Sequence, residues 1–342
     1  MRLMLDVPGP LLERIYEEVG VRSGFSMRSF ILTAIENQLQ LESGTLAEAE
    51  ETHGGSNGDG PVELPGDLRA LIAHPEPSGG SDAAPVPAGG RADVTDADGT
   101  PWVWGQVNRV FPIKFVVRVL ANAGDGKGIP LEEAGNVIAK ASRSFGLFLA
   151  ALDERAERGR VDRLSVGFPT SDAEKDAVSR FCSHFFGERR GDGRISGAAF
   201  MLGLVGLFED GTVGLTEAGA SFACLGNPLL DGSAFRHPTL SEEEIDLYLG
   251  HCRQSATGEA KAFAVVLSGL LQGYGSNEDL NLHIASGVGR DWTKSMVSTQ
   301  RSGTMGRMLE LGLIERHREG RRVRFEMTDR GRVFLEEWDR SA

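Results

Sequence analysis

The chain is poor in cysteine, tyrosine and lysine, and it holds no long apolar run. Three cysteines, Cys182, Cys224 and Cys252, among 342 residues are too few and too far apart for a disulfide framework, which fits a reducing compartment. The longest nearly apolar stretches, Ala262–Leu271 and Gly197–Phe208, fall well short of the ~18–20 residues a bilayer span needs. The N-terminal residues do not show a signal peptide's basic start, apolar run and small-residue site, and Asp6 and Glu13 interrupt them. A cytoplasmic protein with no membrane partner is expected. Arginine outnumbers lysine 30 to 6, a bias that reads as genomic rather than functional. The rest is ordinary: 40% hydrophobic and 25% charged residues support a sizeable core and exclude fibrous or wholly disordered chains. At ~100–200 residues per domain, two or three domains fit.

Signatures of catalysis and metal binding are also missing. Glu259-Ala260-Lys261 matches the E-x-K half of a nuclease motif, with Asp246 upstream. Such a site needs its groups to converge on a cation, usually from adjacent strands, and both stretches here are helix-forming. Cys182-Ser183-His184 and His251-Cys252 have no common zinc spacing, and neighbouring side chains diverge on a helix, so buried cysteines are expected. Gly124-Asp125-Gly126-Lys127-Gly128 lacks a P-loop's glycine spacing and preceding strand, and no Gly-x-Ser-x-Gly elbow occurs. No enzyme, metal or cofactor is expected.

The net charge of −13 conceals a partition: residues 1–40 carry −1, 41–100 carry −10, 101–288 carry −5 and 289–342 carry +3. The acidic stretch 41–100 is rich in Gly, Pro, Ser, Asp and Glu and cannot bury enough apolar area to offset its chain entropy. It reads as a disordered linker, a tether spanning ~40–45 Å root-mean-square. Within it, Leu64–Ile72 has the spacing of a short helix but is read here as part of the tether.

In residues 2–7, Leu3, Leu5 and Val7 alternate with Arg2, Met4 and Asp6, the period of a half-buried strand. Pro10 then opens a helix with Leu11, Leu12, Ile15, Tyr16 and Val19. Ser26 caps a second with Met27, Phe30, Ile31, Ala34, Ile35 and Leu39. One strand and two helices cannot close a core or satisfy the strand's edges, so this unit must pair with a second copy. The order and spacing resemble the Arc/MetJ-type ribbon-helix-helix family. That resemblance implies a homodimer whose paired strands enter the DNA major groove, with Arg2, Met4 and Asp6 facing bases and Ser26 and Arg28 beside a phosphate. Met4 and Asp6 depart from the basic or amide residues usual on that face; the alternative is a unit that only dimerises.

Two stretches of the C-terminal body echo each other. Gly206-Leu207-Phe208-Glu209 leads through a short turn to Leu215-Thr216-Glu217-Ala218-Gly219. Gly312-Leu313-Ile314-Glu315 leads through a longer one to Met327-Thr328-Asp329-Arg330-Gly331. Each follows an apolar helix, at Ile195–Val205 and Met296–Leu311, and the second copy has helices expected at roughly 257–272, 277–286 and 291–311. Leu240–Gln254 reads as a connecting helix. This order resembles winged-helix repressors, including the MarR type. The expected fold is mainly α with small β-ribbons: a ribbon-helix-helix unit at 1–40, the linker at 41–100, and two winged-helix-like domains at 101–235 and 236–342.

The first wing, Asp210-Gly211-Thr212, has no positive charge. The second gathers Arg318, Arg321 and Arg322 at its tip with Arg316 and Arg324 beside them. Its preceding helix offers Lys294, Thr299, Gln300, Arg301, Ser302 and Arg307. Wing arginines suit phosphates or the minor groove; Gln, Arg and Ser on the helix suit base edges. Gly303 and Gly306 each cost a helix interior ~1 kcal/mol, so a break is expected near Ser302. Farther upstream lie an amphipathic helix at Phe111–Asn122, one opening at Gly128–Glu133, and a long one at Ala139–Arg158. That block faintly resembles the helical DNA-reading lobes of some restriction enzymes. The expected function is a dimeric, sequence-specific protein that binds double-stranded DNA, a transcriptional regulator associated with the nucleoid. Alternatives are a partition, replication or mobile-element factor, the recognition module of a restriction or defence system, and a protein-interaction adaptor.

Overall fold

The computed structural model describes residues 64–75, 95–96, 98–124, 128–170, 175–191, 194–232, 235–287, 292–320 and 322–341. The expected ribbon-helix-helix unit, with Arg2, Met4, Asp6, Ser26 and Arg28, lies outside them, as does most of the expected linker. The described elements, in chain order, are α1 (Gly66–Ile72), α2 (Phe111–Ala123), β1 (Ile129–Pro130), α3 (Leu131–Arg155), α4 (Lys175–Phe181), a π-helical turn (Cys182–Phe186), β2 (Glu188–Arg189), β3 (Ile195–Ser196) and α5 (Ala198–Met201). There follow β4 (Val205–Leu207), β5 (Thr212–Leu215), α6 (Glu217–Cys224), α7 (Glu242–Gln254), α8 (Thr257–Leu271), α9 (Asn277–Gly287), α10 (Lys294–Glu310), β6 (Ile314–Glu319), β7 (Arg322–Met327) and α11 (Asp329–Ser341). The fold is mainly helical, with small antiparallel sheets ordered β1-β5-β4, β2-β3 and β6-β7.

Pro61–Ala342 forms one compact unit. Its core draws on both sides of the expected boundary at 235/236: Leu229, Leu230, Leu240 and Ile245 belong to the cluster that holds Phe115 and Phe263. Helix α2 is at its centre. Every residue from Phe111 to Leu120 is buried, including Lys114 and Arg118. Those two cations serve the C-terminus of α6, whose last carbonyls have no partner inside the helix. Lys114 Nζ donates to Phe222 O at 2.5 Å and Leu225 O at 2.8 Å and pairs with Glu244 at 2.8 Å. Arg118 donates to Leu225 O at 2.8 Å and pairs with Asp231 at 2.6 Å. Helix α2 has no cap of its own at Val110. Glu310, at the end of α10, supplies one: its carboxylate accepts from the amides of Val110 and Phe111 and from Thr239 Oγ1. An anion at a helix N-terminus is stabilised by the free amides and the dipole there.

Several sequence expectations are corrected here. Gly66–Ile72, read as tether, is a helix packed on α2, with Leu68 and Ile72 only 2% and 1% exposed. The helices expected at Gly128–Glu133 and Ala139–Arg158 are one continuous helix, α3. In the first copy, the apolar stretch Ile195–Val205 is not a helix: β3, the single turn α5 and β4 share it.

The internal repeat is present, but in a different register. The matching glycines are Gly203 and Gly312, both at φ +66°; Gly206 lies three residues farther on, inside β4. In each copy the helix ends on the same pair of backbone bonds, Gly203 N to Phe200 O with Leu204 N to Ala199 O, and Gly312 N to Leu309 O with Leu313 N to Met308 O. After the hairpin, Thr216 Oγ1 donates to Gly203 O and accepts from Gly219 N. Thr328 Oγ1 likewise donates to Gly312 O and accepts from Gly331 N. The glycines Gly219 and Gly331 are required, because a Cβ there would sit 1.9 Å from Leu204 O or 2.2 Å from Leu313 O. Both copies share the order helix, short extended residue, helix, helix, hairpin, helix, and the first inserts α4, the π-helical turn and β2–β3 before its third helix, α5. Ile129 pairs with Val213 in the first, and Phe325 N donates to Gly275 O in the second.

Candidate nucleic-acid interface

Hairpin β6–β7 is the longest ladder among the described residues, running from Ile314 opposite Met327 to Glu319 opposite Arg322. Its base is held to the body by the buried side chains of Ile314 and Phe325 and by the Phe325–Gly275 bond. Its outer half is open to solvent. Arg316, Arg318, Arg322 and Arg324 are all exposed, and Gly320 turns the tip at φ +62°. Arg316 lies opposite Phe325 and Arg318 opposite Val323, so these two share the side that becomes apolar toward the body. His317 lies opposite Arg324 and places its Nε2 3.8 Å from Glu315 and 3.6 Å from Glu326. Arg318 Nε donates to Gly320 O at 3.1 Å, which steadies one guanidinium beside the tip. Arg321 falls outside the described residues. The first copy's hairpin is different in kind: Asp210 accepts from Thr212 N at 2.9 Å and Thr212 Oγ1 at 2.6 Å. Those bonds hold its carboxyl below the usual range, so an anion sits where the second copy carries cations.

Helix α10 departs from the expectation most. It runs unbroken from Lys294 to Glu310, capped by Thr293, whose Oγ1 accepts from Met296 N. Lys294 and Ser302 are exposed and Thr299 half-buried, but Gln300, Arg301 and Arg307 are 3%, 9% and 0% exposed. The segment Trp102–Val110 lies across the helix over Gln300 and Arg307, while Arg301 is covered from α9. Gly303 and Gly306 permit this approach: a Cβ on Gly303 would lie 2.1 Å from Gly105 O, and one on Gly306 2.5 Å from Asn108 O. The glycines read as weak points are thus contact points.

Arg307 is bound by Glu259 on α8, Nη2 to Oε2 at 2.8 Å and Nε to Oε1 at 2.5 Å, while Nη1 donates to Val107 O. Burial opposes its charge, but Glu259 outweighs burial and leaves its pKa above the ordinary value. Arg301 donates to Asn281 Oδ1 at 2.9 Å and to Asn277 Oδ1, and burial lowers its pKa. None of Gln300, Arg301 and Arg307 can meet a base edge without dismantling this packing. Of the expected DNA-facing set, the described surface brings together Arg318 and Arg322 on the hairpin, with Lys294 and Ser302 exposed on α10.

The two charged groups of the nuclease-like spacing have separate partners. Glu259 faces Arg307, whereas Lys261 turns to Asp96 at 2.6 Å and Asp98 at 2.7 Å. Cys182 is pushed up to about 11, by burial first and Glu188 second, and Cys252 is fully buried beside Tyr248. Among the described residues, no three His, Cys, Asp or Glu side chains are placed to hold a metal ion, and no helix is long and apolar enough to cross a membrane. No protein-family model, curated protein or solved structure matches the chain.

Proposed function

We propose that this chain binds double-stranded DNA through hairpin β6–β7, in the manner of a winged helix, and that it acts as a regulator of transcription. The observation that carries this reading is the set of exposed guanidinium groups at Arg316, Arg318, Arg322 and Arg324, on a ribbon that leaves the body after a three-helix unit. Guanidinium forks match phosphate oxygens and fit the minor groove. Base reading falls to Lys294, Thr299 and Ser302, near the exposed parts of α10, instead of its buried arginines. The N-terminal unit, by its resemblance to ribbon-helix-helix proteins, makes the protein a homodimer through residues 1–40 and so presents two hairpins to one duplex.

The test is fluorescence anisotropy on a selected site and a scrambled duplex across a salt series. Each phosphate contact contributes ~−0.9 to the log–log slope of affinity against salt. Replacing Arg318, Arg321 and Arg322 by alanine is expected to flatten that slope by roughly two to three and to weaken both duplexes alike. Thr212→Ala on the first hairpin is expected to change neither. An unchanged slope in the triple variant would refute the hairpin as the DNA contact.

A further inference from the structure

The two copies of the internal repeat differ in what covers the outer side of their first two helices. In the first copy α1 lies there, on α2 and α3. Leu68 and Ile72 point inward, Asp67 meets Lys140 of α3 at 3.1 Å, and the last carbonyls of α1 are held from α2. Asn122 Nδ2 donates to Leu71 O and Ala73 O, each at 2.9 Å, and Arg118 to Ile72 O at 3.3 Å.

In the second copy the same side, on α8 and α9, is an open groove of about 500 Å³, closed laterally by α11. The correspondence holds residue by residue on the second helix of each copy. A shift of 146 (130 to 276) carries Pro130, which precedes α3, onto Ser276, which caps α9 by accepting from Asp279 N. It carries the fully buried pair Ala134 and Ile138 onto the fully buried pair Leu280 and Ile284. It also carries Val137, one turn before both Lys140 and Ala141, and Ala141 itself onto His283 and Gly287, which line the groove.

The groove has a seat's chemistry. Val265, Leu335 and Trp338 form its apolar wall, and Leu271 at its edge is 61% exposed. The rim is acidic on balance: among the described residues Lys261 is its one cation and is already paired with the buried Asp96 and the exposed Asp98, and the exposed Asp339 stands beside them. We propose that this groove docks a short amphipathic helix of a partner protein, one that presents two apolar residues four apart, as Leu68 and Ile72 do, and a lysine or arginine on its flank. A second molecule's α1 is the wrong occupant by charge. Its Asp67 matches Lys140 in the first copy, whereas the corresponding position in the second is Ser286, beside an acidic rim. Exchanging that aspartate for a cation converts the known occupant of one seat into the expected occupant of the other.

The probe is a fluorescein-labelled peptide of Leu64–Pro75 carrying Asp67→Lys, cross-linked on the face opposite Leu68 and Ile72 so that helix formation does not mask binding. It is titrated with the full-length chain by anisotropy, beside the unaltered sequence with the same cross-link. Saturable binding is expected, weakened at least tenfold by Leu271→Asp and several-fold by restoring Asp67, and untouched by the triple arginine variant of the hairpin. Leu271 is exposed, so its substitution leaves the core intact, which thermal melting checks. No saturable binding, or binding indifferent to Leu271→Asp, would overturn the docking site. Self-association abolished by Leu271→Asp would also overturn it, since the groove would then belong to a second copy. None of these readouts depends on DNA, so a failed docking site and a failed DNA contact are told apart.

Discussion

Arg307 separates a base-reading helix from a core helix, and its replacement by alanine has opposite signatures in the two cases. The guanidinium is fully buried and makes a two-pronged bond to Glu259 with a third bond to Val107 O. Removing it strands the Glu259 carboxylate, whose remaining side-chain partner is Tyr248 OH at 3.4 Å. It also unpins the segment that covers α10. Breaking a buried ion pair by deleting one partner costs ~3–5 kcal/mol. A domain of this kind has only ~5–15 kcal/mol in total. At ~2–3 kcal/mol per molar urea, the unfolding midpoint is expected to fall by roughly 1–2 M.

The paired change Arg307→Met with Glu259→Leu removes both charges and is expected to recover most of that loss, because a buried pair is often replaceable by apolar side chains of similar size. Urea unfolding followed by tryptophan fluorescence measures all three proteins, and anisotropy on the selected duplex measures binding by whatever folded fraction remains. A midpoint unchanged in Arg307→Ala together with a ten-fold loss of DNA affinity would refute the core assignment and return Arg307 to the DNA face.

Three further outcomes are expected. Gly303→Ala would gain ~1 kcal/mol from helix propensity alone, yet its Cβ would sit 2.1 Å from Gly105 O, so thermal melting is expected to show a clear loss; a gain would mean that Trp102–Val110 does not lie on α10. Burial raises the pKa of Asp153, but its bonds from Ser165 and Leu164 and the Arg158 contact outweigh burial and hold it below 3.8. A depressed carboxyl contributes stability that is full above its unfolded value and is lost as pH falls through the folded one. Asp153→Asn is therefore expected to cost ~1–3 kcal/mol near neutral pH and progressively less in acid; a pH-independent cost by urea titration would refute the linkage. Deleting residues 1–40 is expected to halve the mass in solution by light scattering, and an unchanged mass would remove the N-terminal unit as the dimer contact.

What was legible in the sequence was local. The helices expected at 257–272, 277–286 and 291–311 fall at Thr257–Leu271, Asn277–Gly287 and Lys294–Glu310, and Ser276 and Thr293 cap the second and third with their own hydroxyls. The basic hairpin was legible for the same reason, as a charge run bounded by short alternating strands. The burial of Arg307 was not, because Val107, which covers it, is 200 residues away along the chain. Gly303 and Gly306 carried the signal in ambiguous form. Two glycines three apart on a helix mean either weakness or a backbone passing close by, and only the tertiary contact decides between them. Likewise α1 was hidden by its setting, since seven helical residues inside an acidic, Gly- and Pro-rich stretch gain their stability from α2 and α3 and not from themselves. The groove of the second copy has no sequence signal of its own; it is recognised only by comparison with the seat that α1 fills.

The shift in the register of the repeat bears on which copy carries the proposed DNA contact. A match of residue strings selects Gly206, because Gly-Leu-apolar-Glu recurs there, but the backbone needs a left-handed residue at the helix end, and only Gly203 supplies it. From that anchor to the capping threonine is 13 residues in the first copy (203 to 216) and 16 in the second (312 to 328). The first copy's strands are three and four residues long, and one is tied sideways to β1. The second's are six and six and, among the described residues, are tied to the body by one backbone bond, Phe325 N to Gly275 O, near the base. At ~3.3 Å per residue a six-residue strand carries its tip ~20 Å from its root. Guanidinium groups on such a ribbon clear the body and can reach a phosphate backbone, whereas charges on the first hairpin would remain against the protein. Reach and charge therefore coincide on one copy, and the other, with its third helix reduced to the four residues of α5, keeps the packing half of the design: it holds α1, α6 and α7 around Lys114 and Arg118 and gives the second copy a fixed base.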